Sequence, residues 1–298
     1  MDLKAWSADA AQKNAESLKQ DFTGYQGEAI GVVLGTGWGD CLKLANPRET
    51  NFKELVGFGR LGNLAGHARK VLVGPLDVPG LPDHRIVALK GRIHLNEELS
   101  AYDPSAISPP VPFLLMVRQQ IEMLLALGIR TFVLTAAVGS LPGVDQTKGL
   151  TVGGVMAINS LVTLFAPPMP LFAGEFVSPE DVLDEELYGL AVERSYHHPA
   201  LTVRVGCHAM VRGPQFEGRK NDKRLLALAG AEVVGMSILP ELCVIATQPD
   251  AKALALCHVT NGPSEEHSHE TNLERSKEHA SELGMYLTDV LASIVKAM

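Results

Sequence analysis

Short apolar runs alternate along this chain with segments whose apolar residues recur at helical spacing. Ala11, Ala15, Leu18 and Phe22 recur every three or four positions, which predicts an amphipathic helix near the start. AIGVVLG follows, an apolar run with β-branched valines that stops at glycine, the pattern of a buried strand. RKVLVGPL and HRIVALKGR flank the turn-rich DVPGLPD and predict a hairpin. Pro112 is placed to open a helix through Leu127, with Gly128 as its stop. RTFVLTAAVG reads as another buried strand, and GGVMAINSLVTLF as a strand leading into the proline-rich FAPPMPLFAGEFVSPE. Ser178 and Pro179 predict the N-cap and first-turn proline of a helix through about Arg194. Beyond it, strands are expected in LTVRVGCHAMVRG, EVVGMS and ALALCHVTN, and helices in RKNDKRLLALAG, ending at Gly230, and LPELCVIAT. The polar GPSEEHSHE then precedes a long C-terminal helix.

Strands alternating with helices predict a parallel or mixed sheet covered on both faces. No linker-like segment or repeat interrupts the alternation, so residues 1–298 read as one domain, with 1–28 its N-terminal helix and lead-in. At 298 residues, 46% hydrophobic and 20% charged, the chain has ample material for a core and is not of disordered composition. The net charge of −8 argues against a non-specific nucleic-acid binder, while leaving room for a local anion pocket. The opening stretch lacks the apolar centre of a secretory signal, and no run approaches the roughly 20 apolar residues of a membrane span. The expectation is a cytoplasmic protein with neither membrane nor nucleic acid as partner. Cys41, Cys207, Cys243 and Cys257 are scattered without a C-x-x-C pair and read as buried, reduced thiols.

In such sheets ligands gather beyond the carboxyl ends of strands, where the chemistry-bearing segments of this chain also fall. Gly35-Thr36-Gly37-Trp38-Gly39 frees backbone N–H groups to turn toward an anion and adds a hydroxyl, though by itself it also suits a plain glycine turn. Asp40 stands where a dinucleotide fingerprint needs its third glycine, and the lysine of a P-loop is missing. In Gly91-Arg92-Ile93-His94 an arginine fork and a histidine alternate, so an extended segment would point both the same way. In Gly213-Pro214-Gln215-Phe216-Glu217, a carboxylate beside an aromatic suits the N–H edge of a stacked flat heterocycle. Val234-Gly235-Met236-Ser237 lacks the second glycine of a nucleophile elbow, which makes Ser237 an anion ligand rather than a hydrolase nucleophile. In Thr260-Asn261 the Asn side chain both donates and accepts, which suits a 6-oxopurine edge. His267 and His269 form a His-x-His that could hold a metal instead, but no cysteine or carboxylate cluster has matching spacing.

Taken together, these segments resemble the trimeric purine nucleoside phosphorylases and the related methylthioadenosine phosphorylases. The similarity runs from about Ile30 to the C-terminal helix. It is densest where Gly-Pro-x-Phe-Glu and Gly-Met-Ser-x-x-Pro-Glu both match at family spacing, with the GTG segment, Gly66-His67-Ala68, Gly91-Arg92-x-His94 and Thr260-Asn261 in family order around them. The resemblance implies a three-layer α/β/α sandwich around a mixed central sheet, a homotrimer, and phosphorolysis of purine nucleosides to free base and ribose 1-phosphate. Inorganic phosphate would be the co-substrate, and neither metal nor organic cofactor is implied.

By the same resemblance Thr36, Arg92, His94, Ser237 and the backbone at Ala137 would bind phosphate. Glu217 and Asn261 would hold the purine, with Phe216 stacking and Val234 and Gly235 lining the pocket. Met236 would lie under the ribose, His67 would face the sugar and the phosphate, and His269, with His267 its rival, would meet the 5′-hydroxyl. His94, Glu217 and Asn261 are the catalytic candidates. Phe165 or Phe172 would reach a neighbouring subunit. Two departures stand out. Asn96 replaces the tyrosine usual two residues after the phosphate-binding histidine, and the Gly139-Ser140-Leu141 ending looks more like the methylthioadenosine branch. Glu217 with Asn261 points instead to 6-oxopurines such as inosine and guanosine. A methylthionucleoside phosphorylase and a non-catalytic nucleoside-binding protein are the competing readings.

Overall fold

A computed structural model describes residues 2–22, 27–58, 64, 66–97, 113–143, 150–266 and 268–298. Helix α1, Leu3–Lys19, starts where Asp2 accepts hydrogen bonds from the N–H groups of Lys4 and Ala5. It buries Ala11, Ala15 and Leu18, the face expected from the spacing, against α2, Phe113–Ala126. Pro112, expected in the first turn of α2, lies outside the described residues.

Strands β1 (Ala29–Leu34), β4 (Arg85–Lys90), β5 (Thr131–Ser140) and β9 (Lys252–Asn261) run parallel as neighbours. The expected hairpin forms from β3 (Lys70–Gly74) and β4, antiparallel with Lys70 opposite Lys90. The edge strand β2 (Arg48–Asn51) was not legible in the sequence, because RETN is polar and carries no apolar alternation. Adding β6 (Val155–Val162), β7 (Val203–Met210) and β8 (Val233–Gly235), the described residues form one mixed nine-stranded sheet of order β2-β3-β4-β1-β5-β8-β7-β6-β9. Because β5 also pairs with β9, strands β5, β8, β7, β6 and β9 close on themselves. Strand β5 achieves this by a bulge at Val138/Gly139, beyond which Gly139 and Ser140 pair antiparallel with β8.

Both faces are covered, as the continuous apolar runs required. Val33, Leu89 and Leu134 pack with α1, α2 and α5 (Leu239–Ile245). Ile30, Val32 and Leu34 pack on the other face with α3 (Glu185–Ser195) and α7 (Ala280–Ala297). Helix α3 begins later than expected. Ser178 closes a turn with Asp181 instead, and the cap is Asp184, whose carboxylate accepts from the Leu187 N–H. Asp and Ser are comparable caps, so the pattern alone did not choose between them. The single long C-terminal helix is likewise two, α6 (His269–Glu278) and α7, separated at His279, whose Nδ1 meets the Arg275 carbonyl. Helix α4, Asp222–Leu228, stops before Gly230 as expected. All four cysteines are unpaired, but Cys207 is only half-buried. No described helix is long and apolar enough to cross a membrane.

Candidate active site

At the carboxyl ends of β1, β4, β5 and β9 lies a cavity of about 320 Å³. Thr36 follows β1, Arg92 and His94 follow β4, Ala137 to Gly139 end β5, and Thr260 and Asn261 end β9. Val234 to Ser237 come from β8 and the turn after it, and Pro214, Phe216 and Glu217 from the loop after β7. Thus segments scattered over more than two hundred residues meet at one place.

One end of the cavity gathers an arginine, a histidine and two hydroxyls. Arg92 is 1% exposed, with Nη2 donating to the Thr135 carbonyl and Nη1 3.0 Å from the Glu241 carboxylate. His94 is oriented by Glu97, which accepts from its backbone N–H at 2.8 Å and from Nδ1 at 3.0 Å. A carboxylate only accepts, so Nδ1 carries hydrogen and Nε2 is left for a ligand. Burial alone would raise the Glu97 carboxyl, but the His94 hydrogen bonds and the His94 and Arg69 charges outweigh it and hold it below the usual range. Thr36 and Ser237 add hydroxyls to the lining. Next to Ser237, Ile238 takes φ 77°, ψ −57°, the strained γ-turn region, where the chain reverses into α5.

His67 stands behind this wall rather than on it. Its Nδ1 accepts from the Arg92 backbone N–H at 3.0 Å, so Nε2 bears the proton and donates to Thr36 Oγ1 at 3.3 Å. The Thr36 hydroxyl hydrogen is thereby left for the cavity. Burial, reinforced by His94 and Arg92, depresses the His67 pKa well below its ordinary value and keeps the ring neutral.

The other end suits a flat polar ring. Asn261 is 1% exposed, and its Oδ1 accepts from the Thr260 hydroxyl. Its Nδ2 has no hydrogen-bond partner among the described residues. The Glu217 side chain is 5% exposed and lies 3.5 Å from Nζ of the buried Lys223. Phe216, 42% exposed, stands at the rim. Between the two ends, the Asn96 amide donates to the Met236 sulfur at 3.4 Å. Gly213, at φ 64°, lets the loop pass these side chains, since a Cβ there would lie 2.5 Å from both Asn96 Nδ2 and Met236 Sδ. His269 lines the cavity from the start of α6, and its rival His267 lies outside the described residues.

The sequence profile of the phosphorylase superfamily matches residues 30–296. The purine nucleoside phosphorylase of Mycobacterium tuberculosis is 31% identical over 290 residues, covering 95% of this chain and 96% of the relative. This chain is a member of the purine nucleoside phosphorylase family. Purine nucleoside phosphorylase 1 of Bacillus subtilis is 25% identical over 260 residues, covering 85% of each chain. In fold, the chain is similar to the crystal structure of isoform 2 of Schistosoma mansoni purine nucleoside phosphorylase in complex with cytosine and ribose-1-phosphate. The TM-score is 0.73 at 20% identity, covering 95% of this chain and 96% of the other.

Within this family member the residues expected at the site converge, apart from His67, which reaches it through Thr36, and His267. Of the two aromatics expected at a subunit boundary, Phe172 is occupied at home, with the Arg118 guanidinium 4.4 Å from its ring centroid. Phe165 is 43% exposed and borders a smaller cavity shared with Phe216. Three buried partners escaped the sequence reading: Glu97, Glu241 and Lys223. Glu97 stands three residues after His94, and Glu241 ends the Gly-Met-Ser-x-x-Pro-Glu motif, so spacing offered a signal for both. Lys223 offered none, since a lysine in RKNDKR reads as a solvated helix face. Among the described residues no cluster of three or more histidine, cysteine or acidic side chains suits a metal ion.

Proposed function

We propose that this phosphorylase cleaves 6-oxopurine nucleosides, inosine and guanosine, with inorganic phosphate, giving free base and ribose 1-phosphate. The observation that carries the reading is the unpartnered Asn261 Nδ2 in a cavity that also holds the buried Glu217 carboxylate. An amide N–H donates to O6 and N7 of a 6-oxopurine, and the carboxylate accepts its N1–H. A site that sets this unpaired donor beside a carboxylate acceptor discriminates against adenosine, which presents an amino group and no N1–H.

In this reading the bond from ribose C1′ to purine N9 stretches first, leaving an oxocarbenium-like sugar and an electron-rich purine. Asn261 donates to the charge developing near N7 and O6, and Glu217 holds the N1–H side. Phosphate, gripped by Arg92, His94, Thr36, Ser237 and the backbone at Ala137, stabilises the cation and then captures C1′. Such preorganised hydrogen bonds are the largest source of stabilisation when charge separates. The chemistry calls for no metal or organic cofactor. Met236, braced by Asn96, lies under the sugar, and His269 meets its 5′ end. A homotrimer with Phe165 offered to the neighbouring subunit completes the reading, and sedimentation equilibrium measures the assembly.

The direct test follows free base released from inosine, guanosine, adenosine and 5′-methylthioinosine with and without phosphate. Phosphate-dependent release of hypoxanthine and guanine, with little adenine, is expected. Equal rates without phosphate would make the protein a hydrolase, no release would make it a binding protein, and preference for the methylthio substrate would move it to the other branch.

A further inference from the structure

Among the described residues, each buried cation around the cavity already faces a carboxylate: Arg92 faces Glu241, Arg69 faces Glu97 and Lys223 faces Glu217. An entering phosphate dianion therefore meets no uncompensated positive charge. The Arg92–Glu241 pair is the most enclosed, at 1% and 2% exposure of the two side chains. It is also unsaturated. Arg92 Nε and Nη1 and both Glu241 oxygens lack a well-aligned hydrogen bond among the described residues, although Nη1 and Oε1 are 3.0 Å apart. The pair is thus held by charge, with donor capacity left on the arginine that lines the cavity. Beyond the Thr135 carbonyl that accepts from Arg92 Nη2, its surroundings offer little else to either charge. His208, fully buried, has both ring nitrogens unpartnered, and burial, with the Arg92 charge, pushes its pKa down to about 4, so it is neutral.

We propose that Glu241 is a positioning residue that sets the charge of the anion site: it holds Arg92 beside the cavity and cancels part of its charge, so phosphate binds less tightly than Arg92 alone would bind it. The inference rests on the reading of this end of the cavity as the phosphate site. It has a physical rationale, because tightening ground-state and transition-state binding equally lowers KM without raising kcat. Helix α5 and the Ser237 turn place Glu241 for this role, since the carboxylate rises from the first turn of the helix that follows the cavity-lining segment.

The test uses the full-length protein and inorganic phosphate, with calorimetric binding, thermal melts and steady-state kinetics. Glu241→Gln keeps the shape and removes the charge. Its phosphate dissociation constant and phosphate KM should fall roughly tenfold or more, because a charge–charge interaction a few ångströms away is worth about fivefold even at the dielectric of water and far more inside protein, while kcat does not rise. Its melting temperature without anion should drop, because an unpaired buried arginine remains, and phosphate should restore more of it than in the parent. Glu241→Asp, which keeps the charge, should stay near the parent in phosphate affinity. An equal fall in the Asp variant, or weaker phosphate binding in the Gln variant, would overturn the proposal and leave Glu241 a structural brace. A Gln variant that stays unfolded at every phosphate concentration would also overturn it, because the anion would then not replace the lost carboxylate. If phosphate fails to stabilise even the parent protein, the phosphate-site reading itself is wrong.

Discussion

Replacing Gly139 by alanine puts a single methyl group against the Asn261 amide, the group proposed to read the base. Gly139 sits at the β5 bulge, opposite Asn261 on β9 and Val234 on β8. A Cβ there would lie 2.7 Å from Asn261 Nδ2, 3.2 Å from Oδ1 and 3.3 Å from Cγ. Comfortable contact begins near ~3.5 Å, so the amide must retreat by about 0.8 Å. The obstructing atom is the tip of a side chain at a cavity wall, which keeps the stability cost at the low end of overpacking, about 1 kcal/mol. The functional cost is expected to be larger. A displacement near 1 Å at a reacting group costs up to about a hundredfold, so kcat/KM for inosine should fall roughly tenfold to a hundredfold, or about 1.4–2.7 kcal/mol. Phosphate KM should hardly change, because the methyl group does not approach the Arg92 and His94 end. Initial rates over a grid of inosine and phosphate concentrations, with a melting curve to verify folding, separate these effects. A folded Gly139→Ala enzyme within twofold of the parent on inosine, or one impaired chiefly in phosphate KM, would refute the placement of Asn261 at the purine.

Four further outcomes are expected. Arg92→Ala should raise the phosphate KM far more than the nucleoside KM, with a loss of roughly 1.5–3 kcal/mol per charge-assisted hydrogen bond; collapse of nucleoside binding at unchanged phosphate affinity would show Arg92 misassigned. Asn261→Asp should lower the inosine-to-adenosine ratio of kcat/KM, since an ionised carboxylate repels O6, and an unchanged ratio would remove Asn261 from base reading. Glu97→Ala should cost kcat/KM about tenfold or more by releasing the His94 ring, in line with the loss of a bond that orients a ligand-binding histidine; kinetics matching the parent would show that His94 needs no such bracing. Acid should destabilise the fold through His208 and His258, whose pKa values burial depresses to about 4 and about 3. Both stay neutral when folded but protonate near 6.5 when unfolded. Their contribution is therefore intact above pH 6.5 and is lost as pH falls toward about 4 and about 3, at about 1.4 kcal/mol each by roughly pH 5.5. Urea midpoints that do not fall between pH 7.5 and 5.5 would contradict this.

The sequence by itself determined the elements with one clear period and the residue types of the site. AIGVVLG, RTFVLTAAVG and ALALCHVTN read as strands buried on two faces, because short, continuous apolar runs rich in β-branched residues and bounded by glycine or polar turns leave no face for water, and all three are strands. The small motifs around Thr36, Arg92, His94, Glu217, Ser237 and Asn261 were each ambiguous alone, and their joint order and spacing marked them through the resemblance to the family; the structure brings them to one cavity. Local signals competed at Ser178 and Asp184, both good caps, and at His279, where a carbonyl-capping histidine ends a helix whose pattern otherwise continues. Tertiary structure alone decided the partners. Glu97 toward His94, Glu241 toward Arg92 and Lys223 toward Glu217 depend on burial, which converts charges that look solvated into enclosed pairs. His67 moved from the cavity wall to a place behind Thr36 for the same reason: a backbone N–H, which no side-chain pattern reveals, holds its ring. The closure of β5 through β9, which brings Gly139 against Asn261, arises at a bulge whose only mark in the sequence is Gly139 itself, and it shapes the end of the cavity proposed to read the base.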